Sequence, residues 1–283
     1  MAQILRKKDT ITVDDMKKEA EREARTMWQF VRTFLKWLVI AGVTGGIGGL
    51  VGSAFHLSVN WAAAFRAAHP WLLWLLPVGG LLIAAIYRLT KMENKNTNAI
   101  IDAIHFGDKV PLLLVPAIYL STVITHLFGG SAGREGAALQ IGGSLGNLLG
   151  KIVHLDDEDR HVLIMCGMSA AFAALFGTPM AAAVFSMEMV SVGVMYYSAL
   201  VPCVMSALIG AHLASTFGVH AEKFTIVSIP SFSIDGAAKT VLLGILCAAV
   251  SILLCIILHK IGGLLKTYIK NVYLRAIVSA LIV

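Results

Sequence analysis

Charge is the scarcest ingredient of this 283-residue chain: 14% of its residues are Asp, Glu, Lys or Arg, against about 25% in an ordinary soluble domain. That excludes a typical cytosolic globule. Disorder is excluded as well, because it needs low hydrophobicity and high charge, and here 57% of residues are hydrophobic. Acidic residues are fewer than basic ones, for a net charge of +6, but in so apolar a chain an excess of Lys and Arg marks cytoplasmic loops and gives no reason to expect nucleic acid. The four cysteines, Cys166, Cys203, Cys247 and Cys255, lie inside apolar stretches without metal-type spacing and read as small buried hydrophobes. The nine histidines form no H-x₃-H or H-E-x-x-H arrangement, so no metal site is expected. A phosphate-binding loop fails too: Gly150-Lys151 is followed by Ile152, and Leu145 stands where its first glycine belongs. No cofactor is implied.

The sequence is instead dominated by charge-free windows at 37–65, 67–87, 110–133, 136–150, 162–187, 189–221 and 240–259. Most can span a bilayer, so an all-α, polytopic helical membrane protein is expected. The window 136–150 cannot: at about 1.5 Å per residue it covers roughly 22 Å of a core near 30 Å, which predicts a half-helix starting inside the membrane. The window 189–221 is long enough for two pieces and contains Pro202. Residues 1–36 form an amphipathic, net-basic N-terminal segment. Thr12 and Asp15 suggest a capping box, and Met27, Trp28, Phe30, Val31, Phe34 and Leu35 are interleaved with Lys, Arg and Glu. Such a helix suits an anionic inner leaflet, and the long apolar run behind it is unlike a signal peptide.

Basic loops set the expected orientation. Two crossings lead from the basic N-terminus back to Arg88, Lys91, Lys95 and Lys109, so both ends read as cytoplasmic. Lys260, Lys266, Lys270 and Arg275 place 260–275 on the same side. Trp61, Trp71 and Trp74 read as an interfacial belt. Gly42, Gly45 and Gly49, the pair Gly48 and Gly52, and Gly142, Gly146 and Gly150 recur at helical spacing and predict close helix packing. Met165, Met168, Met180, Met187 and Met189 read as packing filler. At the other end, 276–283 begins an apolar helix and stops, which predicts a truncated chain or one completed by another segment.

The densest chemical feature is Gly129-Gly130-Ser131-Ala132-Gly133-Arg134-Glu135-Gly136, between two apolar windows. Its glycines free the backbone to break a helix, and the short helix that follows points unpaired N–H groups at the break. That arrangement favours anions, and broken helices near the midplane form transporter sites. Glu135 can mimic the anion when ionised and vacate the site when protonated. Read as structure only, Glu135 caps the helix and Arg134 pairs with a loop acid. A competing enzymatic reading takes the same stretch as G-x-S-x-G, with Ser131 as nucleophile and His212 as base of a rhomboid-like intramembrane serine protease; the strand–turn–helix context of that motif is missing. A non-transporting membrane fragment is the third reading. His126, one turn from the break, faces a pore or is simply packed.

Gly133-Arg134-Glu135-Gly136 followed by a glycine-rich half-helix resembles the signature of the CLC family of voltage-gated chloride channels and anion–proton antiporters. The resemblance continues through His154-Leu155-Asp156-Asp157-Glu158-Asp159-Arg160-His161, Gly167-Met168-Ser169-Ala170-Ala171-Phe172, Gly177-Thr178-Pro179 and Phe185-Ser186-Met187-Glu188. It runs over 37–275. Where chloride-type members carry G-S-G-I-P, this chain has Asn96-Thr97-Asn98-Ala99-Ile100-Ile101-Asp102; Ala137 replaces the proline after the signature, and Met189 stands in place of a proton-relay glutamate. These departures resemble the fluoride-exporting branch.

The resemblance implies a CLC-type inverted-repeat fold, C-terminally truncated, with a first half over 37–234 and the start of a second over 236–283. It implies a transporter of halide (fluoride or chloride) coupled to protons, not an enzyme, in the cell membrane, multi-pass, with a cytoplasmic N-terminus and a homodimeric state. Glu135 is the expected gating and proton-coupling carboxylate. Gly133, Arg134, Gly136, Ala137, Ala138 and Asn98 are the expected anion-binding positions.

Overall fold

A computed structural model describes residues 13–92, 111–190, 195–221 and 233–282. Every regular element among them is helical. Helix α1 runs from Val13 to Ala68, and a 3₁₀ turn, Pro70–Leu75, leads into α2, Leu76–Leu89. Then come α3 (Leu114–Leu127), α4 (Glu135–Ile152), α5 (Asp157–Phe176), α6 (Pro179–Val190) and α7 (Tyr197–Thr216). The last two helices are α8 (Ile234–Tyr268) and α9 (Val272–Ile282). Among the described residues, five helical segments are long and apolar enough to cross a membrane: Arg22–Ala68, Pro70–Leu89, Asp157–Phe176, Tyr197–Thr216 and Ile234–Tyr268.

The helix boundaries differ from the sequence expectation in two places. α1 passes residue 36 without interruption, because neither proline nor glycine occurs between Val13 and Ala41 to end it. α4 takes in Glu135 at its start and runs on to Ile152. Its 18 residues reach about 27 Å, still short of a full crossing. The long window 189–221 does divide, into the end of α6 and α7, and Pro202 sits inside α7. Thr12 of the expected capping box and the stretch 96–102 lie outside the described residues.

The core is a small-residue helix stack centred on α5, which packs on α1, α4, α6 and α7. Two glycine stripes of α1 face different partners. A Cβ built on Gly45 would lie 2.7 Å from the Ser206 carbonyl oxygen of α7, and one on Gly49 would lie 2.7 Å from the Gly210 Cα. Gly48 and Gly52 instead face Ala170 and Ala174 of α5, at 2.7 and 2.9 Å from their Cβ atoms. The third stripe brings α4 onto α5: Cβ atoms on Gly142 and Gly146 would lie 2.2 and 2.3 Å from the carbonyl oxygens of Gly167 and Leu163. Lipid tails give helices no hydrophobic reason to associate, so backbone-to-backbone packing of this kind supplies the attraction. Met165, Met168 and Met187 fill the interior, whereas Met180 is exposed.

Local sequence accounts for the termini of α5. The Asp156 carboxylate accepts from the Asp159 N–H at 2.8 Å, and Gly177 closes the helix in the left-handed region at φ 69°. Asp159 also pairs with Lys36 of α1 at 2.5 Å. Asp156→Ala is expected to cost about 1 kcal/mol of stability, the usual price of a lost cap, read as a small drop in the thermal unfolding midpoint of the full-length protein in detergent.

The cysteines divide. Cys166 and Cys203 are buried, with their sulfurs 3.9 Å apart between α5 and α7, whereas Cys247 and Cys255 are exposed on α8. The expectation of four buried cysteines therefore holds for two of them. α8 presents apolar side chains along its whole length and has no buried residue among those described. α9 returns to pack on α2, where Arg88 lies over the Tyr273 ring.

Candidate functional site: the glycine break between α3 and α4

α3 ends in a Schellman turn. The Gly129 N–H donates to the His126 carbonyl at 3.3 Å and the Gly130 N–H to the Thr125 carbonyl at 2.8 Å, with Gly129 at φ 82°. The positive φ needs glycine, and so does the space, since a Cβ on Gly129 would meet Leu73 Cδ1 at 2.9 Å and Arg66 Cδ at 3.1 Å. The turn therefore seats the break against the end of α1 and the 3₁₀ segment. His126 is held within its own helix, its Nδ1 donating to the Thr122 carbonyl at 2.8 Å.

After an irregular passage through Ser131, Ala132 and Gly133, the chain enters α4. The first intrahelical bond at this end runs from the Ala138 N–H to the Arg134 carbonyl, at 2.9 Å. The N–H groups of Glu135, Gly136 and Ala137 precede it in the ladder, and no side chain caps the terminus. They are the donors that the positive end of a helix dipole presents to an anion. Gly133 is open, with nothing within 4 Å of a Cβ built there, and Glu135 is exposed beside it. Ala137 and Ala138 are buried against the core, so they bear on the site through their backbone. Five expected positions, Gly133, Arg134, Gly136, Ala137 and Ala138, thus meet at one helix end with Glu135. Asn98 lies outside the described residues.

Among the described residues, Arg134 has no acidic partner. Its Nη1 donates to Asn60 Oδ1 of α1 at 2.9 Å, and Asn60 Nδ2 lies 2.7 Å from His56 Nε2. Sequence reasoning missed both partners. The available signal was a histidine and an asparagine four residues apart, on one helix face, inside an otherwise apolar window. Between His56 and Asn60 along the helix, Ser58 Oγ and Tyr119 Oη lie 2.7 Å apart and tie α1 to α3.

A cavity of about 610 Å³ adjoins the break. It runs along α2, lined by Leu76, Ile83 and Tyr87, with Gly130 and Ser131 nearby and Lys266 and Arg275 contributed by α8 and α9. Ser131 is exposed, and His212 is exposed on α7, a helix that packs chiefly on α1, α5 and α6. The protease reading has no support from this arrangement.

Comparison with known proteins agrees with the motif. The family model described as voltage gated chloride channel matches residues 79–283. A chloride/fluoride channel protein of Pseudomonas syringae pv. tomato is 38% identical over 250 residues, covering 88% of this chain and 55% of that protein. An H(+)/Cl(-) exchange transporter ClcA of Cronobacter sakazakii is 32% identical over 181 residues, covering 56% of this chain and 37% of its own length. The crystal structure of a CLC-type fluoride/proton antiporter superposes with a TM-score of 0.82 at 29% identity, covering 88% of this chain and 63% of that one. The chain spans about half the length, or less, of the curated relatives it matches. With its helical membrane fold and its Gly133–Gly136 signature at a helix break, this chain belongs to the voltage-gated chloride channel (CLC) family.

Proposed function

We propose that the protein moves halide across the cell membrane in exchange for protons, with fluoride as the favoured anion. The observation that carries this reading is the uncapped start of α4, where the N–H groups of Glu135, Gly136 and Ala137 face a glycine break beside an exposed carboxylate. A dehydrated anion held there exchanges its hydration shell for backbone donors and the helix dipole. Glu135 alternates with the anion: ionised, it occupies the same positive end; protonated, it leaves and carries the proton. Gly133, Gly136 and the backbone of Ala137 and Ala138 shape the site. Asn98 serves as a further anion contact from the preceding segment.

The preference for fluoride is supported by the chloride/fluoride channel protein and the fluoride/proton antiporter among the similar proteins. Ala137 and Met189 support it within the sequence. The protein acts as a homodimer with a pore in each subunit. Its basic α1 start lies on the cytoplasmic side, and its apolar helices contact lipid.

The test is efflux from vesicles containing the full-length protein, followed with fluoride and chloride electrodes alongside a pH electrode. Fluoride efflux accompanied by proton uptake, faster than chloride efflux, is expected. Absence of both anion currents would overturn the reading, and chloride efflux outpacing fluoride would overturn the selectivity.

A further inference from the structure

We propose that Asn60 is a positioning residue for Arg134, and that His56 controls it by protonation. This rests on the transport reading above for its consequence but not for its geometry. Arg134 Nη1 to Asn60 Oδ1 measures 2.9 Å and Asn60 Nδ2 to His56 Nε2 measures 2.7 Å. A guanidinium only donates, so the amide must offer its oxygen to Arg134 and its NH₂ to the histidine. His56 Nε2 must then accept, which requires a neutral ring with its proton on Nδ1.

Protonating His56 places an N–H opposite the amide NH₂. The amide has a single acceptor end, and two donors now require it. Turning the amide to satisfy the imidazolium takes its oxygen away from Arg134. The guanidinium is thereby released from α1, next to the α4 terminus where the anion is proposed to sit, and its charge becomes available there. A proton on α1 thus strengthens anion binding at α4 through one amide rotation. Among the described residues, the titratable or charged groups on the elements packed against α1 include Tyr119 and His126 on α3, Glu135 and Lys151 on α4, Arg160 and His161 on α5, and Tyr197 and His212 on α7, with Arg66 on α1 itself. Tyr119 is hydrogen-bonded to Ser58 and His126 to Thr122, and the acidic turn of α5 lies at the Lys36 end of α1, five helical turns away.

Three variants of the full-length protein separate this link from mere packing. In His56→Gln, a side-chain carbonyl accepts from Asn60 but does not titrate. In Asn60→Asp, both carboxylate oxygens accept, so Arg134 and a protonated His56 are satisfied together. In Asn60→Leu, Arg134 is free at every pH. The wild type is expected to show a fluoride KM that falls as pH is lowered through the range of about 5–8 in which histidines change charge. His56→Gln and Asn60→Asp should lose this fall and keep the high-pH KM, whereas Asn60→Leu should show the low KM throughout. An unchanged KM profile in His56→Gln overturns the link.

Nitrogen-15 NMR of labelled histidine in bilayers reads the geometry without any transport. At high pH the Nδ1–H tautomer of His56 is expected, and it should give way in Asn60→Leu. An Nε2–H tautomer in the wild type overturns the hydrogen-bond assignment even if transport is as proposed. The expected tautomer in a protein that moves no anion would sink the transport reading and leave the assignment standing.

Discussion

Valine in place of Gly142 is expected to keep α4 from seating on α5 and to abolish the monodisperse, folded protein. A Cβ at this position would sit 2.2 Å from the Gly167 carbonyl oxygen and 2.8 Å from the Ala171 Cβ. Overpacking a core typically costs about 1–3 kcal/mol when side chains can adjust. Here the obstacle is backbone on a helix that is itself locked against α1 and α7, so the two helices must move apart along their whole contact. The loss would also displace the α4 terminus on which the proposed anion site depends. Size-exclusion profile and thermal unfolding of the full-length protein in detergent check this. Gly46→Ala is the control: nothing lies within 4 Å of a Cβ there, so alanine should be neutral or should add up to about 1 kcal/mol through helix propensity. A Gly142→Val protein as stable as the wild type would mean that α4 and α5 do not pack backbone to backbone at Gly142.

Glu135→Gln is expected to leave anion flux and remove its coupling to protons. Glutamine keeps the shape of the protonated acid, so the α4 terminus stays open to the anion. It has no charge with which to compete for that terminus and no proton to deliver. In vesicles with simultaneous anion and pH electrodes, proton movement should fall to the empty-vesicle background while anion efflux continues. The remaining efflux should also lose the part of its pH dependence that arises from Glu135. Proton uptake in unchanged ratio to anion efflux would remove Glu135 from the coupling role.

Much of this was legible along the chain because it depends on near neighbours. The helix break at 129–134 follows from glycines that permit a Schellman turn and from a positive φ that other residues resist. The cap at Asp156 and the αL close at Gly177 are equally local. The three glycine stripes were visible as spacing, and their bland interpretation as packing surfaces agrees with the contacts they make. Residue identities at 133–136 pointed to the family before any fold was available, because a charged pair between glycines inside an apolar chain is costly unless it has work to do.

Tertiary structure decided matters that spacing along the chain does not encode. Which glycine stripe of α1 faces α5 and which faces α7 depends on the placement of two helices more than a hundred residues downstream. Arg134 finds its partner in Asn60, 74 positions away, and no local pattern distinguishes that contact from a salt bridge to a nearby acid. Likewise Cys166 and Cys203 are buried between α5 and α7 while Cys247 and Cys255 are exposed on α8, although all four sit in apolar runs, because an apolar run does not encode which helix packs on which. The sequence by itself determined that the chain spans a membrane and where its backbone breaks, since both are set by local solvation and φ/ψ limits. Which side chain holds Arg134, and from which helix, was left to long-range packing.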